Sequence, residues 1–249
     1  IPPNINNANQ THQNTGNICW AYAKLGVAAP ELFRAADAHA CATLHAFVPQ
    51  AVSNLLWAHA SLLEKPEPSF FHKCVSFASG IVSDFSAQNL SNVSWALAVI
   101  LRQFNVHDYP GLTVQLAKQL VADIAKESYI RLTDPEKAAT FSRQHLANIV
   151  YSWAVIDLNV GTQTLQVVAD ALSLRADECN PQEISNSIFA FTTLKFYHRD
   201  LFNAMATETR NRIDEFNALN LIQLVHSLAQ SDHYDEALLI LTADHVVAA

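Results

Sequence analysis

Asn54-Leu55-Leu56-Trp57-Ala58 is one of six versions of a single phrase in this chain. The others are Asn17-Ile18-Cys19-Trp20-Ala21, Asn92-Val93-Ser94-Trp95-Ala96, Asn148-Ile149-Val150-Tyr151-Ser152, Asn186-Ser187-Ile188-Phe189-Ala190 and the degraded Gln223-Leu224-Val225-His226-Ser227. Successive versions start 37, 38, 56, 38 and 37 residues apart. A fixed period in this range is the sequence signature of stacked helical hairpins, each burying its apolar face against the next. The long interval is one period of 38 plus 18 residues, which predicts an insertion in the third repeat, within residues 103–140.

Counting from the Asn as position 0 makes one repeat legible. Seven residues earlier stand Phe47, Phe85, Phe141, Cys179 and Phe216, and the next residue is Ser86, Ser142, Asn180 or Asn217, with Thr11 in the first repeat. Ser, Thr and Asn cap helices by accepting hydrogen bonds from first-turn amides, so a first helix, helix A, is predicted to start there. The apolar residue before the cap pairs with the fourth helical residue: Phe47/Val52, Phe85/Leu90, Phe141/Leu146, Cys179/Ile184 and Phe216/Leu221. Apolar residues at −2, +1, +5 and +8 then form one stripe of an amphipathic helix. After a short polar or Gly/Pro break comes a second periodic segment, helix B, expected near 30–44, 69–82, 110–126, 163–177, 198–214 and 233–246. Asp134-Pro135-Glu136 reads as a capped extra turn inside the insertion.

The whole is therefore read as all-α: an α-solenoid of about six two-helix repeats over residues 11–249, behind an Asn/Pro-rich linker at 1–10. Composition agrees, since 50% of the 249 residues are hydrophobic, 15% are charged and only five are glycine, leaving little material for Gly-rich phosphate loops. No apolar run reaches the roughly 18 residues of a membrane span. The net charge of −8 counts against a partner held mainly through phosphates, although a local basic groove remains compatible with it.

The pattern Gln-x-Leu-x-Asn-x-x-Trp-Ala-x-Ala-x-Leu, present over Gln50 to Leu62, Gln88 to Ile100 and Gln144 to Ile156, resembles the octotricopeptide repeat, and the resemblance runs from residue 11 to the end. It implies an organellar protein, of the mitochondrial matrix or the chloroplast stroma, that binds RNA (mRNA or rRNA) and acts in its maturation, stability or translation. Related repeats also occur in organellar ribosomal proteins. A protein-binding scaffold or an accessory subunit of an organellar ribosome or other ribonucleoprotein is the alternative expectation, and the acidity favours it. No cofactor, metal or catalytic residue is implied.

On a helical wheel, positions −4, −3, 0, +4 and +7 lie beside the apolar stripe. The Gln at −4 (Gln13, Gln50, Gln88, Gln144, Gln182) and the Asn at 0 (Asn17, Asn54, Asn92, Asn148, Asn186) can each offer a donor and an acceptor to a base, or can hydrogen-bond one another between helices. Position −3 runs Asn14, Ala51, Asn89, His145, Glu183, Asn220. Such variation suits a one-base-per-repeat code, and equally suits helix capping, because −3 is the third helical residue. The aromatics at +3 (Trp20, Trp57, Trp95, Tyr151, Phe189) could stack bases but are read mainly as packing between repeats. Lys24 and Arg143 lead the candidates for phosphate contact, followed by Arg102, Lys195 and Arg199. His39, Cys41, His45, His72 and Cys74 do not have the spacing of a metal site.

Overall fold

A computed structural model of the chain describes residues 5–104 and 108–248. Among these residues there are thirteen α-helices and no strand. By its contacts the chain divides into two compact units, Ile1–Ser128 and Tyr129–Ala249. The first unit holds α1 (Ile5–Lys24), α2 (Pro30–Thr43), α3 (Pro49–Leu62), α4 (Pro68–Gly80), α5 (Ala87–Gln103) and most of α6 (Gly111–Leu132). The second holds α7 (Pro135–Ala138), α8 (Arg143–Val155), α9 (Thr162–Ser173), α10 (Pro181–Thr193), α11 (Arg199–Asn211), α12 (Ala218–Gln230) and α13 (Glu236–Ala248).

Each unit has two layers. In the first, α1 packs on α3 and α3 on α5, while α2 packs on α4 behind them. In the second, α8, α10 and α12 form the corresponding A layer, and α9, α11 and α13 the B layer. The six A helices are those centred on the repeated phrase.

Local chemistry explains the helix starts. The side chains of Ser86, Ser142, Asn180 and Asn217 accept the backbone N–H of Asn89, His145, Glu183 and Asn220, as the sequence predicts. The staple residues Phe47, Phe85, Phe141, Cys179 and Phe216 and their partners are all buried. Thr11 does not start a helix: α1 begins at Ile5, inside the stretch expected to be linker. From Ile5 to Thr11 no Pro or Gly interrupts the backbone, so a capping-type residue at Thr11 has nothing to stop. Residues 1–4 of that stretch lie outside the described residues.

Two recurring features were not expected. The last part of four helix B segments tightens into a separate 3₁₀ turn, at Leu44–Ala46, Val82–Asp84, Ala176–Glu178 and Ile213–Glu215. Each turn delivers the staple residue, whose N–H bonds the carbonyl three residues back. Helix A also ends the same way in five repeats, at a left-handed residue nine after the Asn or Gln at position 0: Gly26, Leu63, Asp157, Lys195 and Asp232, with φ of 66°, 54°, 53°, 55° and 52°. The next N–H reaches back five residues in each, as in Glu64 to His59 at 3.0 Å, which closes a Schellman-type cap.

The third repeat lacks this stop. There α5 runs on to Gln103, and the extra residues go into a 22-residue α6 and the short α7, whose N-cap is Asp134 as the sequence predicts.

Adjacent A helices approach closely where position −1 of one meets position −3 of the next. A Cβ on Gly16 would lie 2.7 Å from the Ala51 carbonyl oxygen and 3.0 Å from its α-carbon. The equivalent contact in the second unit is Ser185 Oγ donating to the Asn220 carbonyl at 3.0 Å. Position −1 is small in the first five repeats (Gly16, Ser53, Ser91, Ala147, Ser185) for this reason.

Two outcomes are expected in urea unfolding. Gly16→Val should cost about 1–3 kcal/mol, the usual range for overpacking, because backbone lies in the path of the new side chain. Gly26→Ala should destabilise by roughly 1 kcal/mol, whereas Leu63→Gly and Lys195→Gly, which relieve a left-handed L residue, should be neutral to stabilising by about 1 kcal/mol.

Candidate nucleic-acid interface

Positions −4, 0, +3 and +7 of a helix A are three or four residues apart and therefore share one face. Contacts between equivalent positions align these faces within each unit. In the first, Gln13 Nε2 donates to Gln50 Oε1 at 3.4 Å and Asn54 Nδ2 to Asn17 Oδ1 at 3.0 Å. The indole of Trp57 sits 6.4 Å from that of Trp20 and 6.3 Å from that of Trp95, tilted by 40° and 33°. Three parallel rows thus cross α1, α3 and α5: glutamines, asparagines and tryptophans. In the second unit Gln223 Nε2 donates to Asn186 Oδ1 at 3.3 Å, and the Tyr151 and Phe189 rings lie 5.9 Å apart.

The rows differ in what they leave accessible. Gln50, Gln88, Gln144 and Gln182 are exposed, while Asn54, Asn92, Asn148 and Asn186 are half-buried. Where a rung between position-0 amides is seen, the amides bind one another, which is the ladder reading of this position. Gln223, the degraded version, keeps its rung, because its longer side chain also reaches the Ser185 carbonyl at 3.3 Å.

Position −3 does not lie on this face. Asn89, His145 and Glu183 complete capping boxes: their side chains accept the backbone N–H of Ser86, Ser142 and Asn180 at 3.1, 3.2 and 2.9 Å. Asn89 and Glu183 are buried and His145 is half-buried. Ala51 is sealed against Gly16, and the Asn220 backbone is held by Ser185. A helical Cβ points toward the N-terminus, so a third-position side chain reaches back to the cap and away from the stripe. Of the two readings of −3, the geometry carries capping; Asn14 alone of the six is exposed.

The cations divide in the same way. Arg143 lies with Nε 3.2 Å from Glu183 Oε2 and with a terminal nitrogen 3.9 Å from Glu178, so its charge is matched by two carboxylates. Lys24, at +7, is exposed and stands over two rings, its Nζ 5.7 Å from the Trp20 centroid and 5.2 Å from that of Trp57.

Charge is segregated between the layers. The six A helices make up more than a third of the chain, yet they hold one of its 23 Asp and Glu residues, Glu183, which is 6% exposed and paired with Arg143. They also hold Lys24, Arg102 and Arg143. The units differ as well: residues 1–128 carry seven Lys/Arg against eight Asp/Glu, and residues 129–249 carry eight against fifteen.

The tryptophans at +3 pack between repeats, as the sequence predicts, and they are also partly exposed. Trp20 is 38% exposed, and Trp57 and Trp95 are half-buried, so they pack between repeats and line the surface together. Their spacing from positions 0 and +7 was the available signal.

The other cluster read from the sequence does not assemble. His39 Nε2 meets His12 Nδ1 at 3.2 Å, Cys41 Sγ faces Ser69 Oγ at 3.9 Å, and His72 Nδ1 meets Thr113 Oγ1 at 3.0 Å. Cys74 is fully buried, and burial pushes its thiol far up. Among the described residues no group of three or more His, Cys, Asp or Glu is placed to hold a metal ion. No protein-family model matches the chain, and no curated protein matches it.

Burial holds His12, His145 and His233 below the ordinary value of 6.5, so all three favour the neutral form in the fold. Protonation of such a group is easier in the unfolded chain, so stability is retained above pH 6.5 and falls as the pH drops through the lowered native values. Chemical denaturation at pH 7.5, 6.5 and 5.5 should show this loss. His145→Asn should reduce its steepness while keeping the cap, since Asn89 makes the same box in α5.

Proposed function

We propose that this chain is a non-catalytic helical-repeat protein, of the octotricopeptide kind, that forms an α-solenoid and binds organellar RNA along the surface lined by its A helices. Its role is then in RNA maturation, stability or translation in a mitochondrion or chloroplast. The observation that carries this reading is the segregation of charge. A protein of net charge −8 repels a polyanion as a whole, but a layer almost free of carboxylates and studded with amides removes that repulsion where contact is made. The amide and aromatic rows supply hydrogen-bonding and stacking partners without demanding a strongly basic groove.

The second reading, a protein-binding subunit of an organellar ribosome or other ribonucleoprotein, is favoured by two specific features. The second unit holds most of the acidic surplus. In addition α12 exposes Leu219 by 77% and Ile222 by 59%, where earlier repeats carry Gln and a small residue, and exposed apolar groups suit protein contact.

Binding of labelled RNA by the full chain across a salt series separates the two. RNA binding along the A helices predicts measurable affinity at low salt that falls log-linearly with salt, by about 0.7 per single-strand phosphate contacted. Lys24→Glu should weaken it by about tenfold. Arg143→Gln should change it by less than about twofold, because two carboxylates already match that charge. Absence of binding at the lowest salt gives the ground to the protein-scaffold reading.

A further inference from the structure

We infer that the Trp20, Trp57 and Trp95 row of the first unit is a stacking site for unpaired bases, so that the ligand is a single strand bound with little preference for base identity. This rests on the RNA-binding reading above and specifies its mode.

The argument begins with an asymmetry among the four tryptophans. Trp153, at position +5, is fully buried, so the repeat has a core position that accepts an indole. The other three stand at +3, in register on adjacent helices and partly in water. Leaving large aromatic surface in water forgoes about 25 cal/mol per Å² of burial, a cost that packing alone does not require when +5 is available. Indole rings with centroids 6.3–6.4 Å apart, tilted by 40° and 33°, make a stepped platform. Flat π-systems stack on such platforms irrespective of which base they belong to.

The flanking groups fit the same ligand. Lys24 Nζ lies over the notch between Trp20 and Trp57, within reach of a backbone phosphate beside a stacked base, and α1, α3 and α5 contain no Asp or Glu to oppose it. Several of the amides that could read base edges are already bonded within the protein. Asn17 and Asn54 bond each other, and Asn89 is tied into its cap. A duplex keeps its bases stacked inward and offers no free π-faces to such a surface. The second unit has a poorer version of the row: Tyr151 and Phe189 replace the indoles, and no +7 position there carries a cation, where the first unit has Lys24 beside Ser61 and Val99.

The test uses the full chain with labelled 12-nucleotide RNAs, oligo(U), oligo(A) and a duplex of equal length, followed by anisotropy and intrinsic tryptophan fluorescence. Expected results are binding of both single strands within about tenfold of each other, weaker binding of the duplex, and quenching of indole emission at saturation. Trp20→Ala, at the most exposed of the three, should weaken single-strand binding by about five- to a hundredfold, the range for loss of one stacked base. Trp57→Phe should retain most of the affinity that Trp57→Ala loses, with folding of each variant checked by circular dichroism. Unchanged tryptophan emission at saturation, an unchanged affinity for folded Trp20→Ala, or a preference for one base well beyond tenfold overturns the stacking site. Duplex bound as well as single strand overturns it too but leaves RNA binding along the A helices standing. If no RNA binds at all, both readings fall together.

Discussion

The closeness of one helix A to the next sets the terms for everything else in each unit. Between α1 and α3 there is no room for a Cβ at Gly16 against the Ala51 carbonyl, and in the second unit the same seam holds the small Ser185, whose hydroxyl bonds the Asn220 carbonyl. At that separation equivalent side chains on neighbouring helices come into direct contact. Asn17 and Asn54 then form a rung, and the tryptophans at +3 lie tilted against one another 6.3–6.4 Å apart. The aromatic and amide rows are therefore consequences of a steric rule, and their spacing is inherited from it. A bulkier seam would separate the rows and dissolve the surface they make.

Where the sequence exposed a mechanism, the fold could be read from it. Ser86, Ser142, Asn180 and Asn217, each preceded by a buried apolar residue, mark helix starts because the capping chemistry is local and repeats at the same place. Thr11 misled because an isolated capping residue does not terminate a preceding helical run. The 3₁₀ turns were invisible for a different reason: Leu44-His45-Ala46 and Ala176-Asp177-Glu178 share no residue type that announces them. The left-handed stops hid in the same way, since only Gly26 among Gly26, Leu63, Asp157, Lys195 and Asp232 carries a compositional signal. At the site, the variety at −3 imitated a recognition code. Asn89, His145 and Glu183 differ because several acceptors serve a capping box equally well. The tryptophans at +3 do pack between repeats, as their regularity predicts; what the regularity does not announce is that part of each ring stays exposed.

Layered charge is what makes the proposed RNA binding compatible with an acidic chain. Electrostatic repulsion between a protein and RNA is set over roughly a Debye length, about 8–10 Å at physiological ionic strength. The sign of the nearest layer therefore outweighs that of the total. All the carboxylates but Glu183 sit on the B helices, the connections and the short α7.

The left-handed residue nine positions after the Asn gives the array its punctuation. A duplicated unit carries that full stop with it, so each new copy turns back after the same number of residues and presents its helix B at the same height. The third repeat, where α5 passes position +9 without stopping, is also the one that has absorbed extra chain. The repeats that keep the left-handed stop are held to nearly one length by a backbone conformation that Gly, Leu, Asp and Lys all adopt here.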